Sequence, residues 1–270
     1  MEDLAALVDL ATDAAQAAGA LLRERIDWRR ATVTTKTSGT DMVSEMDHAA
    51  EALIVERLLR ARPHDGILAE EGHDRDGTSG VRWVIDPLDG TTNYLYGHPA
   101  YGVSIAAEVD GEVRAGVVAD PSLDEVFTAT QGGGAFLNGE PIQPTDKADL
   151  ATALVGTGFS YVPANRAQQA AVLTHVLPAV RDIRRAGAAS LDLCWVACGR
   201  LDAYYEVTLQ PWDVAAGVLI AAEAGALVSG VDGGPPSHES VLAAAPGVAP
   251  ALLSLLRRAS AQARPPATTG

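Results

Sequence analysis

The chain has 270 residues, 47% of them hydrophobic and 20% charged, which is enough apolar material for a core and too much for disorder along most of its length. Asp and Glu number 35 against 20 Lys and Arg, and a formal charge of −15 makes nucleic acid and anionic membrane surfaces poor partners. No run of 18 apolar residues predicts a membrane span, the acidic start MEDLAALVDLATDAAQAAG lacks the basic region of a secretory signal, and two cysteines give no disulfide framework and suit a reducing cytoplasm.

Leu4, Leu7, Val8, Ala11, Ala15, Ala18 and Leu22 recur at helical spacing and predict a helix over 3–25. A short polar strand or hairpin is expected at 32–37. Ser44 reads as an N-cap with Asp47 three residues on, opening a helix to about Arg60 that Pro63 closes. Ile67-Leu68-Ala69 and Val81 to Ile85 read as strands, the second ending in Asp86-Pro87. Three β-like runs follow at 102–109, 112–119 and 125–130, with Asp110-Gly111 as a hairpin turn, and 131–147 is turn-rich.

The second half alternates. Strands are predicted at 154–156, 202–207 and 226–228, and helices at 164–180, 190–198, 212–224 and 248–261. The change of pattern predicts an N-terminal α+β subdomain, 1–148, and a C-terminal α/β subdomain, 149–262, packed tightly together. Residues 263–270 read as a disordered tail.

The densest chemical signal is Asp86-Pro87-Leu88-Asp89-Gly90-Thr91-Thr92-Asn93. Pro87 holds Asp86 extended, so Asp86 leaves the strand end and Asp89 returns to the same side. Gly90-Thr91-Thr92 is suited to opening a helix, whose free N–H groups favour phosphate. Taken alone, Asp-x-x-Asp is more often a capped loop. Glu70-Glu71 at another strand end and Trp212-Asp213 after Pro211 alter that balance, although Asp213 by itself reads as a first-turn acid. Four carboxylates gathered at element ends repel unless cations join them, and an all-oxygen set favours Mg²⁺ or Mn²⁺ over Zn²⁺.

With Glu70-Glu71, the Asp86–Asn93 segment and Trp212-Asp213-Val214-Ala215-Ala216-Gly217 in this order, the chain resembles the inositol monophosphatase family of lithium-sensitive, magnesium-dependent phosphatases over about residues 5–258. The resemblance implies a layered αβαβα sandwich of the α+β class, acting as a cytoplasmic homodimer on a small phosphate monoester, most simply inositol monophosphate. It implies two or three Mg²⁺ ions, for which Mn²⁺ can substitute. Glu70, Asp86 and the Leu88 carbonyl match ligands of the first metal, and Asp86, Asp89 and Asp213 those of the second. Glu70 also matches the ligand of a looser third metal, with Glu71 behind it. Gly90 and Thr91 match phosphate donors. Glu70 and Thr91 orient the attacking water, Asp47 supports Thr91, and Lys36 matches a basic residue nearby. Asp89, Gly187, Ala188, Ala189, Glu206 and Asp213 match the surroundings of the substrate alcohol. Here Gly187-Ala188-Ala189 replaces the family's commoner Gly-Thr-Ala or Gly-Ser-Ala, which leaves the preferred alcohol open.

Other signals carry less. Cys194 and Cys198 share a helix face without further ligands and read as buried thiols, and Gly132-Gly133-Gly134 opens no helix and reads as a turn. The rival activities are histidinol phosphate, fructose 1,6-bisphosphate or adenosine bisphosphate hydrolysis at the same site. A regulatory binding protein with secondary catalysis is the alternative of another class.

Overall fold

The computed structural model describes residues 2–32 and 39–263 (backbone only for 26–32 and 39–44), so Lys36, most of the expected hairpin at 32–37 and nearly all of the C-terminal tail lie outside the described residues. Helix α1 (Leu4–Thr32) runs seven residues past its predicted end, because neither Gly nor Pro occurs between residues 20 and 38 to stop it. Its Leu4–Arg25 stretch is long and apolar enough to cross a membrane by length and composition, a criterion that the lack of an unbroken apolar run had set aside. In this fold Leu7, Ala11, Ala14, Ala15, Ala18 and Leu22 are buried in the core instead. Helix α2 (Gly39–Ala61) begins earlier than expected, so Ser44 lies inside it and is not its cap. The capping pattern misled because residues 39–43 contain no Pro to prevent an earlier start.

The next elements are β1 (Gly66–Ala69), β2 (Val81–Asp89), α3 (Thr91–Tyr96), β3 (Gly102–Val109), β4 (Glu112–Asp120), β5 (Glu125–Thr130), β6 (Gly134–Leu137) and β7 (Glu140–Pro141). They form a seven-stranded sheet in chain order, parallel between β1 and β2 and antiparallel elsewhere. Asp110-Gly111 turns the β3–β4 hairpin with both residues at positive φ, as the dipeptide predicts. The turn-rich stretch after β5 holds the short β6 and β7. Strand β2 does not end at Pro87. It continues to Asp89 through a register shift between Asp86 and Asp89, and a bulge is where a strand tolerates proline.

Then come β8 (Leu154–Thr157), α4 (Pro163–Val176), β9 (Asp182–Arg184), α5 (Ala189–Ala197), β10 (Ala203–Val207), α6 (Pro211–Glu223), β11 (Leu227–Ser229), β12 (Ser240–Ala244) and α7 (Ala249–Ala263). The second sheet has the order β11-β12-β10-β8-β9. Strands β9 and β12 have no counterpart in the sequence reading.

Four apolar seams stack these elements into an αβαβα sandwich of the α+β class. Val81, Trp83, Ile85, Val103, Ile105 and Val117 face α1 and α2, while Val84, Ala106, Val118 and Phe127 face α5 and α6. In the second sheet Tyr204, Val241 and Ala243 join the α5–α6 layer. Val155, Tyr205, Leu242 and Ala244 join Leu252 and Leu256 of α7 and Val176 of α4 on the other face. Alternate residues therefore serve opposite seams, as the period of two in a strand dictates. Each large apolar side chain removed from water contributes roughly 1.5–3 kcal/mol. Sandwiching α5 and α6 between two sheets leaves their N-terminal ends beside the end of β2, and this is where the carboxylates meet.

Candidate active site

Asp86 lies on β2 just before the bulge, where it is 1% exposed. Its Oδ1 accepts the Leu88 N–H at 3.0 Å, which folds the bulge around the carboxylate. Glu70 follows β1, the parallel neighbour of β2, and its N–H donates to the Ile85 carbonyl at 3.3 Å. Glu70 and Asp213 each come within hydrogen-bonding reach of Asp86. Asp213 sits in the first turn of α6, and its Oδ2 accepts the Gln210 N–H at 2.7 Å in a reciprocal capping box. The capping role expected of an isolated Asp213 is therefore real, and the same carboxylate also reaches the cluster.

Asp89 is held from the central helical layer. Its Oδ2 accepts both the backbone N–H and the hydroxyl of Ser190, at 2.7 and 2.5 Å. Gly90 has φ +86°, and a Cβ there would come 2.8 Å from the Ala100 carbonyl, so only glycine fits. The Thr91 hydroxyl donates to the Leu88 carbonyl at 3.0 Å. Asn93 Nδ2 donates to the carbonyls of Ala100 and Ala186 at 2.6 and 2.8 Å, which ties α3 to the loop before α5.

Glu70, Asp86, Leu88, Asp89, Gly90, Thr91, Gly187, Ala189, Glu206 and Asp213 all line one open cleft of about 670 Å³. Ala188 is buried against Gly90. Asp47 and Glu71 do not line the cleft. Asp47 is buried, and its Oδ1 has no hydrogen-bond partner among the described residues. Glu206 accepts a 2.6 Å hydrogen bond from the Tyr204 hydroxyl.

Electrostatics mark the cleft. Burial, and then the charges of Glu71, Glu70 and Glu51, push Asp47 up to about 8. Burial raises Glu70 to about 7 with help from Asp213, Glu71 and Glu51, against a lowering hydrogen bond to Asp86. Burial with the Asp213 charge takes Asp89 to about 8, although Ser190 opposes it. Burial and the charges of Glu70, Asp89 and Asp213 drive Asp86 well upward, and burial raises Asp213 as well. Burial brings Glu206 to about 7. Acids that resist ionising together are a donor set suited to a divalent cation, which relieves their repulsion. The hard oxygen donors fit Mg²⁺ or Mn²⁺. Among the described residues no group of three or more His, Cys, Asp or Glu side chains stands in ready-made coordinating geometry.

Sequence reasoning missed three polar residues here. In the sequence Ser190 marks only the start of a helix. Glu51, behind Glu70-Glu71, gave no local signal. Arg185 lines the cleft, its guanidinium lying over Gly187, and its charge opposes the upward shift of Glu206. The Arg184-Arg185 pair just before Gly187 was a usable signal, being basic residues in an acidic chain beside a motif already singled out.

A model of the inositol monophosphatase family matches residues 3–263. An inositol-1-monophosphatase of Mycobacterium leprae is 49% identical over 240 residues, covering 84% of this chain and 81% of its own length. The solved structure of Mycobacterium tuberculosis SuhB superposes with a TM-score of 0.83 at 45% identity, covering 96% of this chain and 98% of that one. A Nus factor SuhB of Escherichia coli K12 is 38% identical over 262 residues, covering 93% of this chain and 96% of its own length. Fold, cleft and relatives together define a phosphoric monoester hydrolase. The chain belongs to the inositol monophosphatase family.

Proposed function

We propose that this cleft hydrolyses inositol monophosphate to inositol and phosphate by direct attack of water, with Mg²⁺ as cofactor. The observation that carries the reading is the meeting of Glu70, Asp89 and Asp213 around the buried Asp86, in a chain whose relatives include an inositol-1-monophosphatase. Glu70, Asp86, the Leu88 carbonyl, Asp89 and Asp213 would hold the metal. When bound, Mg²⁺ supplies Lewis-acid stabilisation of phosphoryl charge and lowers the pKa of water.

The chain's own groups do the rest. The backbone N–H groups of Gly90 and Thr91 bind phosphate. Glu70 takes up the proton of the attacking water, which Thr91 orients with support from Asp47; Glu71 stands behind Glu70, and the departing alkoxide takes its proton from solvent. Ser190 keeps Asp89 turned into the cleft. Glu206, with Gly187, Ala188 and Ala189, receives the alcohol, and Glu206 accepts hydrogen bonds from its hydroxyls. Arg185 offers the cleft a positive charge beside Glu206. The parts 1–148 and 149–262 act as one catalytic unit, because Asp213 comes from the second and the other carboxylate ligands from the first. The two cysteines are free thiols, which supports a reducing cytoplasm, and the family resemblance supports a homodimer.

Phosphate release in Mg²⁺ from inositol 1-phosphate, set beside histidinol phosphate, fructose 1,6-bisphosphate and adenosine bisphosphate, tests this. The highest kcat/KM is expected on the inositol ester. A clear preference for another member of the panel replaces the substrate, and silence on all of them overturns the reading.

A further inference from the structure

The turn after β1 is gripped from behind by α2. Glu51, on α2, is fully buried. Its Oε2 accepts the Glu71 N–H at 2.7 Å, and its Oε1 accepts the His73 N–H at 3.2 Å and meets His73 Nδ1 at 2.6 Å. On the other side Asp74 Oδ1 accepts the Ala69 N–H at 2.9 Å. Glu70 lies between these two anchors. Gly72, at φ +99°, lets the chain double back within the turn.

As a charge, Glu51 works against its surroundings, since it makes Glu70 and Asp47 harder to ionise. As an acceptor it is engaged on both oxygens. Donors converge on both of its oxygens, a task that suits a group with acceptor sites alone. A neutral apolar side chain would relieve the repulsion but leave the Glu71 and His73 N–H groups without their partner. The arrangement therefore serves the geometry of the turn at the expense of local electrostatics.

We propose that Glu51 is a positioning residue: by holding the Glu71 and His73 N–H groups it aims Glu70 into the cleft and sets how tightly the carboxylate cluster holds its divalent cation. This rests on the metal-dependent reading above. Outer partners of this kind change metal affinity or activity by about 10–100-fold when lost.

The test is Glu51→Gln. An amide offers one acceptor and one donor, so one end of the grip sets N–H against N–H. Mg²⁺ binding is measured by titration calorimetry without substrate, and kcat, KM and Mg²⁺ half-saturation are measured on inositol 1-phosphate. We expect Mg²⁺ affinity to fall about tenfold, with kcat at saturating Mg²⁺ kept within about threefold. Amide exchange at Glu71 and His73 should quicken. Glu51→Asp, which keeps the charge and shortens the reach, should weaken Mg²⁺ as well, and it serves if the amide variant does not fold. Unchanged Mg²⁺ binding in a folded variant overturns the proposal, as does failure of both variants to fold, which makes Glu51 a folding residue. Wild-type protein that does not bind Mg²⁺ overturns the metal reading itself, whatever the variants do.

Discussion

One oxygen of Asp89 accepts two hydrogen bonds from Ser190, a residue 101 positions further along the chain. The first sheet supplies the carboxylate, and the N-terminus of α5 supplies both donors. Bonds from two donors favour the ionised form and fix its direction. Ser190→Ala keeps the backbone donor and removes the hydroxyl. We expect kcat/KM to fall about tenfold and Mg²⁺ half-saturation to rise, with fold stability changed by about 1 kcal/mol. Steady-state rates across a Mg²⁺ series, with thermal melts alongside, provide the check.

Asp86→Asn should have two effects of opposite sign. Turnover should drop below about a tenth of wild type, a loss of more than roughly 1.4 kcal/mol of transition-state stabilisation. The chelated protein should melt higher, because burial and three neighbouring acids make the Asp86 charge unfavourable. A variant that is both active and less stable without metal would remove Asp86 from the centre of the cluster.

Burial, with the same repulsion, predicts an unusual pH profile. Asp47 and Asp89 are raised to about 8 from 3.8, and Glu70 and Glu206 to about 7 from 4.5. Each folded value lies above the ordinary one. The stability each group contributes is therefore fully present below its ordinary value and is lost as pH rises through 7 to 8. In chelator the melting temperature should fall between about pH 4 and 8 and level off above that, and Mg²⁺ should restore it most at the alkaline end. A melting temperature that climbs over this window in chelator would contradict the assignment.

Glu206 is set apart from the phosphoryl end of the cleft by its place on β10. Glu206→Gln should weaken polyol phosphates several-fold while leaving a plain aryl phosphate within about twofold. Equal losses on both substrates would make Glu206 a structural residue, held by Tyr204 for packing alone.

Lithium gives an independent probe. Li⁺ is close to Mg²⁺ in size and carries half its charge. At the position held by Asp86, Asp89 and Asp213 it should retain phosphate without supporting turnover. Inhibition should be uncompetitive or mixed toward substrate and should weaken as Mg²⁺ rises. Rates indifferent to about 100 mM Li⁺, with Na⁺ holding ionic strength, would speak against that metal position.

Much of this molecule is local and was legible as such. The β-like runs of β3, β4 and β5, the Asp110-Gly111 turn and the Asp86–Asn93 segment are written in neighbouring residues, because β-propensity and a turn's backbone angles are short-range properties. The carboxylates Glu70, Asp89 and Asp213 were legible for the same reason, each standing near the end of an element, whereas Asp86 lies within β2. Strand β9 (Asp182-Ile183-Arg184) has one apolar residue and is made a strand by pairing with β8, and β12 shows no alternation and is made one by pairing with β10 and β11. The path of β2 past Pro87 depends on β3 lying alongside, since pairing with Ser104 and Gly102 on either side of the bulge carries the strand across the proline. Glu51, Arg185 and Ser190 gained their places only when the layers closed. A hydrogen bond is made to whatever the fold brings within 3 Å, and the sequence of a helix does not name a partner 20 or 101 residues away.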